Sequence, residues 1–292
     1  MNSFTIRDIE NLCGIKAHTL RIWEQRYNFF CPKRKSGNHR FYDNEDLKYL
    51  LQIAYLYHNG HKISQIARFT EKDICNLALR ISAQSGPGEI FINQLTEACI
   101  DFDQEKFDKI FHNVILYFGM EKSITQVIFP FLNKIGLLWM TGNVIPAQEH
   151  FASTLIIKKI CVAINGLEQP CYDGGKNILI FTPKDELHEI PILFIRYMMK
   201  KNGIHTVYFG KNISLDELEY YCQHKQVTHL YFHLITNLAR CDPDEYITKL
   251  LKLFPDKQII VSGSRAQAIS GSFRNVKVLK SIEEMLSFAK EK

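Results

Sequence analysis

The first third of the chain has apolar residues spaced three and four apart in short successive runs, which is the pattern of amphipathic helices. This spacing predicts helices over residues 6–12, 16–27, 45–59 and 63–70. Thr5 is placed to cap the first helix and Asn44 the third, while Gly14 ends the first. Two short helices across a glycine turn are typical of a helix-turn-helix.

A basic hairpin is expected directly after the second helix. Pro32 ends that helix, and Ser36-Gly37-Asn38 suits a tight turn, so the segment predicts a wing. On the second helix, the face expected to pack inward carries Leu20, Trp23 and Tyr27. The opposite face carries His18, Thr19, Arg21 and Arg26.

In the rest of the chain, the spacing of the apolar residues changes twice. Ser85-Gly86-Pro87-Gly88 has the composition of a linker, and residues 89–166 keep a helical period long enough for about four helices, which predicts a bundle. Beyond Gly175, short apolar runs alternate with helical segments. We expect strands over 177–181, 206–209, 229–234, 258–261 and 276–279. Strands and helices in alternation predict a doubly wound parallel sheet of the flavodoxin-like kind.

These patterns predict a multidomain protein of α and α/β class. The expected parts are a winged helix-turn-helix at 1–75, a linker at 76–88, a four-helix bundle at 89–168 and a Rossmann- or flavodoxin-like domain at 175–292. No run of about 18 uncharged apolar residues predicts a membrane span, and the first 19 residues lack a signal-peptide core. We therefore expect a cytoplasmic protein with no membrane partner. The 8 cysteines form no C-x-x-C pair, which favours reduced structural thiols.

The positive charge of the chain is concentrated at its amino terminus. Residues 1–84 hold 13 Lys and Arg against 8 Asp and Glu, while the remaining residues hold 23 of each. Between Lys16 and Arg40, seven basic residues stand against Glu24 alone. Such a surface is suited to phosphates, although charge alone is equally compatible with a solvated basic face.

The segments "FTIRDIENLCGI", "AHTLRIWEQRY" and "HRFYDNEDLKYLLQI" resemble, in this order, the MerR family of winged-helix regulators. The resemblance covers residues 3–70 and implies binding to double-stranded operator DNA as a dimer or tetramer, with the second helix in the major groove and the wing on the adjacent backbone. It also implies that Arg40 and Tyr42 sit on the wing. The residues expected to contact DNA are His18, Thr19, Arg21, Arg26, Lys33, Arg34, Lys35, Arg40 and Tyr42.

A second motif, "PFLNKIGLLWMTGNVIPAQEH", separates a tryptophan from a Glu-His pair by nine residues across a turn. An indole with a carboxylate and an imidazole suits a ligand pocket, but the spacing alone is also that of a core tryptophan and a surface pair. The run resembles the helical cap of cobalamin-binding modules and the light-sensing regulators of the CarH and LitR type. That resemblance implies that Trp139, Glu149 and His150 lie over the adenosyl-bearing face of cobalamin, and that light frees this face for a ligand such as His150.

A third motif, "PKDELHEIP", lies where the first strand of the sheet meets its helix, at an edge where ligands of such folds bind. Glu186 and His188 resemble the acidic-x-His-x-x-Gly loop whose histidine ligates cobalt from below, so His188 is the expected metal ligand. A carboxylate two residues earlier suits the orienting partner of such an imidazole. The sequence departs from this pattern at Pro191, which replaces the glycine.

Two further positions differ from the resembled module. Its third strand ends in a serine where this chain has His233, and its later Gly-Gly pair is Ser262-Gly263 here. Larger side chains narrow the channel for the cofactor's nucleotide tail, and His233 is expected to fill that channel rather than to bind metal. The residues expected to contact the cofactor are Trp139, Glu149, His150, Glu186, His188, His233, Ser262 and Gly263.

Together these observations favour a transcriptional regulator, not an enzyme. The resemblance implies that its C-terminal part senses adenosylcobalamin, in the manner of the light-sensing regulators, and controls oligomerisation and operator binding. An alternative keeps the regulator but has a C-terminal module that no longer binds cobalamin and serves oligomerisation or another ligand. A remote alternative is a cobalamin-dependent enzyme, for which no residues remain to form a substrate domain and no nucleophile-base pair or phosphate loop is visible.

Overall fold

In a computed structural model of the chain, residues 4–13, 15–27, 33–34, 40–82, 88–168, 175–235, 242–271 and 273–291 are described. Contacts divide the chain into two compact units, Met1–Ala152 and Ser153–Lys292. The predicted tip of the wing, the glycine turn at residue 14 and most of the predicted glycine-rich linker lie outside the described residues.

The first unit begins with a small helical domain built around one apolar core. Its elements are α1 (Ile6–Cys13), α2 (Ala17–Tyr27), β1 (Lys33–Arg34), β2 (Arg40–Phe41), α3 (Asn44–His58), α4 (Ile63–Ile66) and α5 (Glu71–Ser82). Leu20 and Trp23 are buried against Leu50 and Ile53, and Tyr27 packs at the margin of this core. The helix-turn-helix pattern and the inward face of α2 are therefore confirmed.

Two local predictions in this domain are wrong. The cap of α3 is Asp43, whose side chain accepts from the backbone of Glu45 and Asp46, because a carboxylate one residue earlier closes a capping box that Asn44 would leave open. The predicted helix over 63–70 ends at Ile66, since Asp73 and Thr70 together start α5 instead.

The predicted linker also begins too early. Residues 76–82 belong to α5, and Ala78 is buried in the same core as α3. The turn at residue 70 starts a further amphipathic helix, which extends the amino-terminal domain past the expected boundary at 75.

A bundle of helices completes the first unit. It contains α6 (Glu89–Ile100), α7 (Gln104–Ser123), α8 (Phe129–Met140) and the start of α9 (Pro146–Asn165), with a π-helical turn at Ile124–Ile128. The chain bends at Gly119, where φ is 72°, and the Ser123 hydroxyl donates to the Val114 carbonyl across that bend. The helical period of residues 89–166 thus gives the expected four helices.

The second unit is a five-stranded parallel sheet with helices. Its elements after α9 are β3 (Asn177–Pro183), α10 (Ile190–Lys201), β4 (His205–Ile213), α11 (Leu215–His224), β5 (His229–His233), α12 (Pro243–Leu253), β6 (Gln258–Ser262), β7 (Val276–Leu279) and α13 (Ile282–Phe288). The strand order is β4-β3-β5-β6-β7, which is the flavodoxin-like order with its switch point beside β3. The predicted doubly wound sheet is confirmed, and the carboxyl ends of β3, β5 and β6 lie side by side. Among the described residues, no helix is long and apolar enough to cross a membrane.

Candidate functional sites

The outward face of α2 is held in place by a contact from α1. The Glu10 carboxylate accepts a hydrogen bond of 3.1 Å from the Ala17 backbone N–H, so the first helix fixes the start of the second. Arg21 and Arg26 are exposed, and the Arg26 guanidinium lies 5.5 Å from the ring of Tyr27. Two guanidinium groups on one exposed helix face suit contact with phosphates or base edges.

The amino-terminal end of the same helix carries the two remaining predicted contacts. His18 is exposed and Thr19 is partly exposed, and the Thr19 hydroxyl lies 3.4 Å from His18 Nδ1. In a helix-turn-helix, residues near the start of the second helix are the ones that contact base edges. Direct base contact by His18 and Thr19 stays a prediction.

The predicted wing begins as an antiparallel pair of short strands. Lys33 pairs with Phe41 and Arg34 with Arg40. The side chains of Lys33, Arg34 and Arg40, and all of Lys35, lie outside the described residues, so their contacts with DNA stay predictions.

Tyr42 is a core residue, which corrects its assignment to the DNA-contacting set. Only 1% of its surface is exposed, and it lies in the apolar core shared by α1 and α3. Its backbone pairs with Phe4. The two backbone hydrogen bonds of this pair, of 2.8 and 2.9 Å, hold Tyr42 next to the start of α1.

The loop after β3 brings Glu186 and His188 together. His188 Nδ1 lies 2.7 Å from Glu186 Oε1, and the His188 backbone N–H donates to the same oxygen at 3.1 Å. The other carboxylate oxygen accepts from the Ile235 backbone N–H at 2.9 Å. Glu186 is fully buried, while half of the His188 side chain is exposed. A rigid carboxylate therefore orients an accessible imidazole.

The Glu186 carboxylate is ionised despite its burial. Desolvation opposes the charge, but the hydrogen bonds from the His188 ring, the Ile235 N–H and the His188 N–H outweigh it and lower the pKa of Glu186 to about 2. An ionised acceptor beside Nδ1 favours a proton on that nitrogen, which leaves Nε2 as the ring nitrogen not engaged by Glu186.

The backbone of this loop is anchored by residues that the motif does not include. The Thr182 hydroxyl donates to the Glu186 carbonyl at 2.8 Å and accepts from the Asn212 N–H at 3.1 Å. Asn212 Oδ1 in turn accepts from the Asp185 N–H, and both Asp185 and Asn212 have positive φ. The only sequence signal for this anchor is the occurrence of Asn and Asp, the residues that tolerate this backbone conformation.

A buried polar network occupies the ends of β5 and β6. His233 Nδ1 and the Tyr231 hydroxyl each lie 2.7 Å from the Ser262 hydroxyl. Burial lowers the pKa of His233 to about 4, although the nearby Glu186 acts in the opposite direction. His233 is thus a neutral, hydrogen-bonded residue whose ring takes up space at the carboxyl edge of the sheet. Its expected role as a filler of the tail channel stays a prediction.

Two further positions at which the resembled module has glycine can be compared with the structure. Gly263 has a φ of 107°, and a Cβ at this position would overlap the backbone of Leu234. Pro191 lies in the first turn of α10, where its missing N–H has no intrahelical partner to lose. Both residues fit the fold as it stands.

The three residues of the cap motif lie in two different environments. Trp139 is partly buried and packs against the apolar core of the amino-terminal domain. Near the start of α9, Glu149 Oε2 lies 2.9 Å from His150 Nδ1, with 77% of the His150 side chain exposed. In the part of the chain that the structure describes, no three His, Cys, Asp or Glu side chains gather as a metal site.

Comparison with known proteins finds a family model for the amino-terminal domain and another for the bundle. Residues 4–73 match the MerR HTH family regulatory protein model, and residues 91–162 match the B12 binding domain model. The HTH-type transcriptional repressor CarH of Myxococcus xanthus is 22% identical over 222 residues, which are 74% of this chain and 73% of that protein. The repressor CarA of the same organism is 22% identical over 218 residues, covering 74% and 71%.

A solved structure shows the same fold. The monomethylamine corrinoid protein of Methanosarcina barkeri superimposes with a TM-score of 0.55 at 13% identity, covering 70% of this chain and 99% of that one. At this identity the likeness establishes the fold of the bundle and sheet, and the chemistry must be argued from the side chains.

Proposed function

We propose that this chain binds operator DNA under the control of a corrinoid that is ligated by His188. The chain is a transcriptional regulator that belongs to the MerR HTH family by its residues 4–73, and it also carries a B12 binding domain. The observation that carries the proposal is the pairing of His188 with a buried, ionised Glu186 at the carboxyl edge of the sheet. The curated relatives that align with 74% of the chain are repressors, which favours a regulatory role over an enzymatic one.

The DNA-binding part of the proposal rests on α2. Arg21 and Arg26 project from a helix whose other face is fixed in the core by Leu20 and Trp23. Winged helices of this size read one half-site each, so a pair of half-sites requires at least a dimer. We therefore propose a homo-oligomer, dimer or tetramer, on double-stranded operator DNA.

One residue of the sheet domain, His188, fits the role of a cobalt ligand. His188 offers Nε2 of a neutral imidazole, a nitrogen ligand suited to cobalt, and Glu186 fixes the ring through Nδ1. Adenosylcobalamin, when bound, supplies a cobalt–carbon bond that light can break. The chain's own part is to hold the imidazole in one orientation and to keep Glu186 ionised. Trp139, Glu149 and His150 are proposed to serve the adenosyl face, and His150, whose Nδ1 lies 2.9 Å from Glu149, would be the protein ligand on that side.

One observation favours the alternative of an altered or lost ligand. His233, Ser262 and Tyr231 satisfy one another by hydrogen bonds at the ends of β5 and β6, so the network is complete without a cofactor. If this region is where a nucleotide tail would enter, the full cofactor must displace a satisfied buried network. A corrinoid without the tail, such as cobinamide, would avoid that cost.

A binding experiment decides between the two. The full chain is incubated in darkness with adenosylcobalamin or cobinamide and passed through a gel-filtration column. The proposal predicts visible corrinoid absorbance that coelutes with the protein and is lost in His188→Ala, while the control His224→Ala, on the exposed end of α11, retains it. Retention of neither corrinoid by the parent protein would establish the alternative.

A further inference from the structure

The carboxyl end of α8 is part of the core of the DNA-binding domain. Leu137 is 1% exposed and belongs to the same cluster of buried residues as Leu20 and Leu50. Trp139 and Met140 pack against that cluster from its margin. A helix of the bundle therefore supplies apolar surface that the amino-terminal helices bury.

A hydrogen bond from α3 accompanies this packing. The side chain of Gln52 is 6% exposed, and its Nε2 donates to the Met140 carbonyl at 2.8 Å. Met140 is the last residue of α8, where a carbonyl has no partner within the helix. Gln52 thus caps α8 from the DNA-binding domain.

The contact has a cavity along one side. The cavity has a volume of about 240 Å³ and is lined by Gln52 and other residues of α3, by α5 and by the turn that follows α8. A space of this size beside a polar side chain is large enough to hold water. The contact is therefore held by packing and one hydrogen bond, at a place that water can enter.

We propose that this α8 contact, formed by Leu137, Trp139 and Met140 against Gln52 and the core of the amino-terminal domain, is a releasable interaction that holds the DNA-binding helices in one orientation. With the contact formed, the two winged helices of an oligomer are presented at a fixed spacing, as paired half-sites require. Release leaves the charges of α2 unchanged but lets each domain rotate, so paired binding loses its high effective concentration.

The link to a ligand rests on the proposed function. Trp139 is the residue expected at the adenosyl face of the corrinoid, and it also packs in the α8 contact. A ligand that contacts Trp139 differently in the formed and released arrangements shifts the balance between them. The α8 contact then connects ligand and DNA within the first unit.

The test compares two variants with the same change of charge. Gln52→Glu places a carboxylate against the Met140 carbonyl, whereas Gln65→Glu alters an exposed residue of α4. In the full chain, Gln52→Glu is expected to weaken binding to the gene's own upstream region by at least about tenfold. Binding to a random duplex of equal length is expected to match that of Gln65→Glu. Circular dichroism verifies that both variants fold.

Equal upstream affinities of the two variants would overturn the proposal, as would an equal loss on random DNA. A second pair of variants separates loss of the contact from a general loss of stability. Leu137→Ala removes a side chain from the α8 contact, and Ile135→Ala removes one that is fully buried outside this cluster. Only Leu137→Ala is expected to weaken upstream binding. If the parent protein itself does not prefer its upstream region, the proposed function fails, and hydrogen exchange of α3 in Gln52→Glu against Gln65→Glu still decides the contact.

Hydrogen exchange also tests the ligand link. Adenosylcobalamin, added in darkness to a protein shown to retain it, is expected to change the exchange of backbone amides in α3 and at the end of α8. Unchanged exchange with bound corrinoid would overturn the link. A protein that retains no corrinoid overturns the link together with the proposed ligand, while the DNA comparison remains valid.

Discussion

At the residue scale, a single carboxylate determines which nitrogen of His188 is available. Glu186 is buried, ionised and held by two backbone N–H groups as well as by the imidazole. The spacing of Glu186 and His188 made this pair predictable from the sequence. The Ile235 N–H that helps to hold the carboxylate was not predictable, because it comes from the segment just after β5, 49 positions away, and spacing along the chain carries no such information.

Removing the charge of Glu186 is expected to weaken the ligand site while leaving the loop in place. Glu186→Gln keeps the shape and one acceptor but no longer favours the proton on Nδ1. We expect affinity for adenosylcobalamin to fall by about 10- to 100-fold, the usual effect of losing a partner behind a metal ligand. Titration followed by absorbance measures this affinity, with Glu219→Gln, at a partly exposed position of α11, as control. An affinity equal to that of the control would contradict the role of Glu186.

The neutral His233 is expected to make stability depend on pH. Its folded pKa of about 4 lies below the ordinary 6.5, so between these values the unfolded chain binds a proton that the folded chain excludes. Stability therefore falls as pH decreases, by about 2 kcal/mol at pH 5 from this residue. His229, whose pKa is also lowered to about 4 by burial, adds to the effect.

The variant His233→Asn should reduce that dependence. Urea unfolding of the full chain at pH 7 and pH 5 gives the free energy of unfolding at each pH. We expect the difference between the two values to shrink by about 1–2 kcal/mol in the variant, with the His229 contribution remaining. A difference identical to that of the parent protein would mean that His233 titrates normally in the folded chain.

At the scale of elements, the strands were easier to predict than the boundaries between domains. All five predicted strands are present, because each contains a short apolar run between turn residues. The predicted linker overlaps α5, since the start of α5 depends on the Thr70–Asp73 cap and on the burial of Ala78 in a core formed by other elements. The assignment of Tyr42 fails for the same reason, because the local sequence does not reveal that the residue after β2 packs into that core.

The end of β6 approaches β5 too closely for any side chain at Gly263. Gly263→Ala combines an unfavourable backbone conformation with an overlap against Leu234, and we expect a loss of about 2–4 kcal/mol in stability. Gly210 also has positive φ but nothing within 4 Å of the added Cβ. The control Gly210→Ala should cost only about 1 kcal/mol. Equal losses in thermal or urea unfolding would contradict the close approach.

At the scale of the whole molecule, the excess of basic residues and the proposed metal-ligating residues lie in different parts of the chain. The excess of basic residues lies in the first 84 positions, and the Glu186–His188 pair lies in the second unit. The fold class was predictable from the sequence because each part has its own hydrophobic period. The packing of Leu137 and Trp139 into the amino-terminal core was not, since nothing in their local pattern distinguishes a bundle core from another domain's core.

The basic face of α2 should dominate the salt dependence of DNA binding. Arg21→Ala and Arg26→Ala are each expected to reduce the slope of log affinity against log salt by about 0.9 if the side chain meets one phosphate. Arg21→Ala is also expected to reduce the preference for specific DNA, because Arg21 lies nearer the start of α2, the part of a recognition helix that contacts base edges. The exposed Lys225→Ala of the second unit should leave the slope unchanged. Slopes equal to the parent's in both Arg variants would place the contact face elsewhere.

The most direct test of the account measures the affinity of the full chain for its own upstream DNA and for a random duplex at physiological salt. Each is measured without corrinoid, with adenosylcobalamin in darkness, and with the same sample after green light. The account predicts a preference for the upstream DNA that changes between these conditions in the parent protein and does not change in His188→Ala. An absence of preference in every condition, or an identical corrinoid response in His188→Ala, would contradict it.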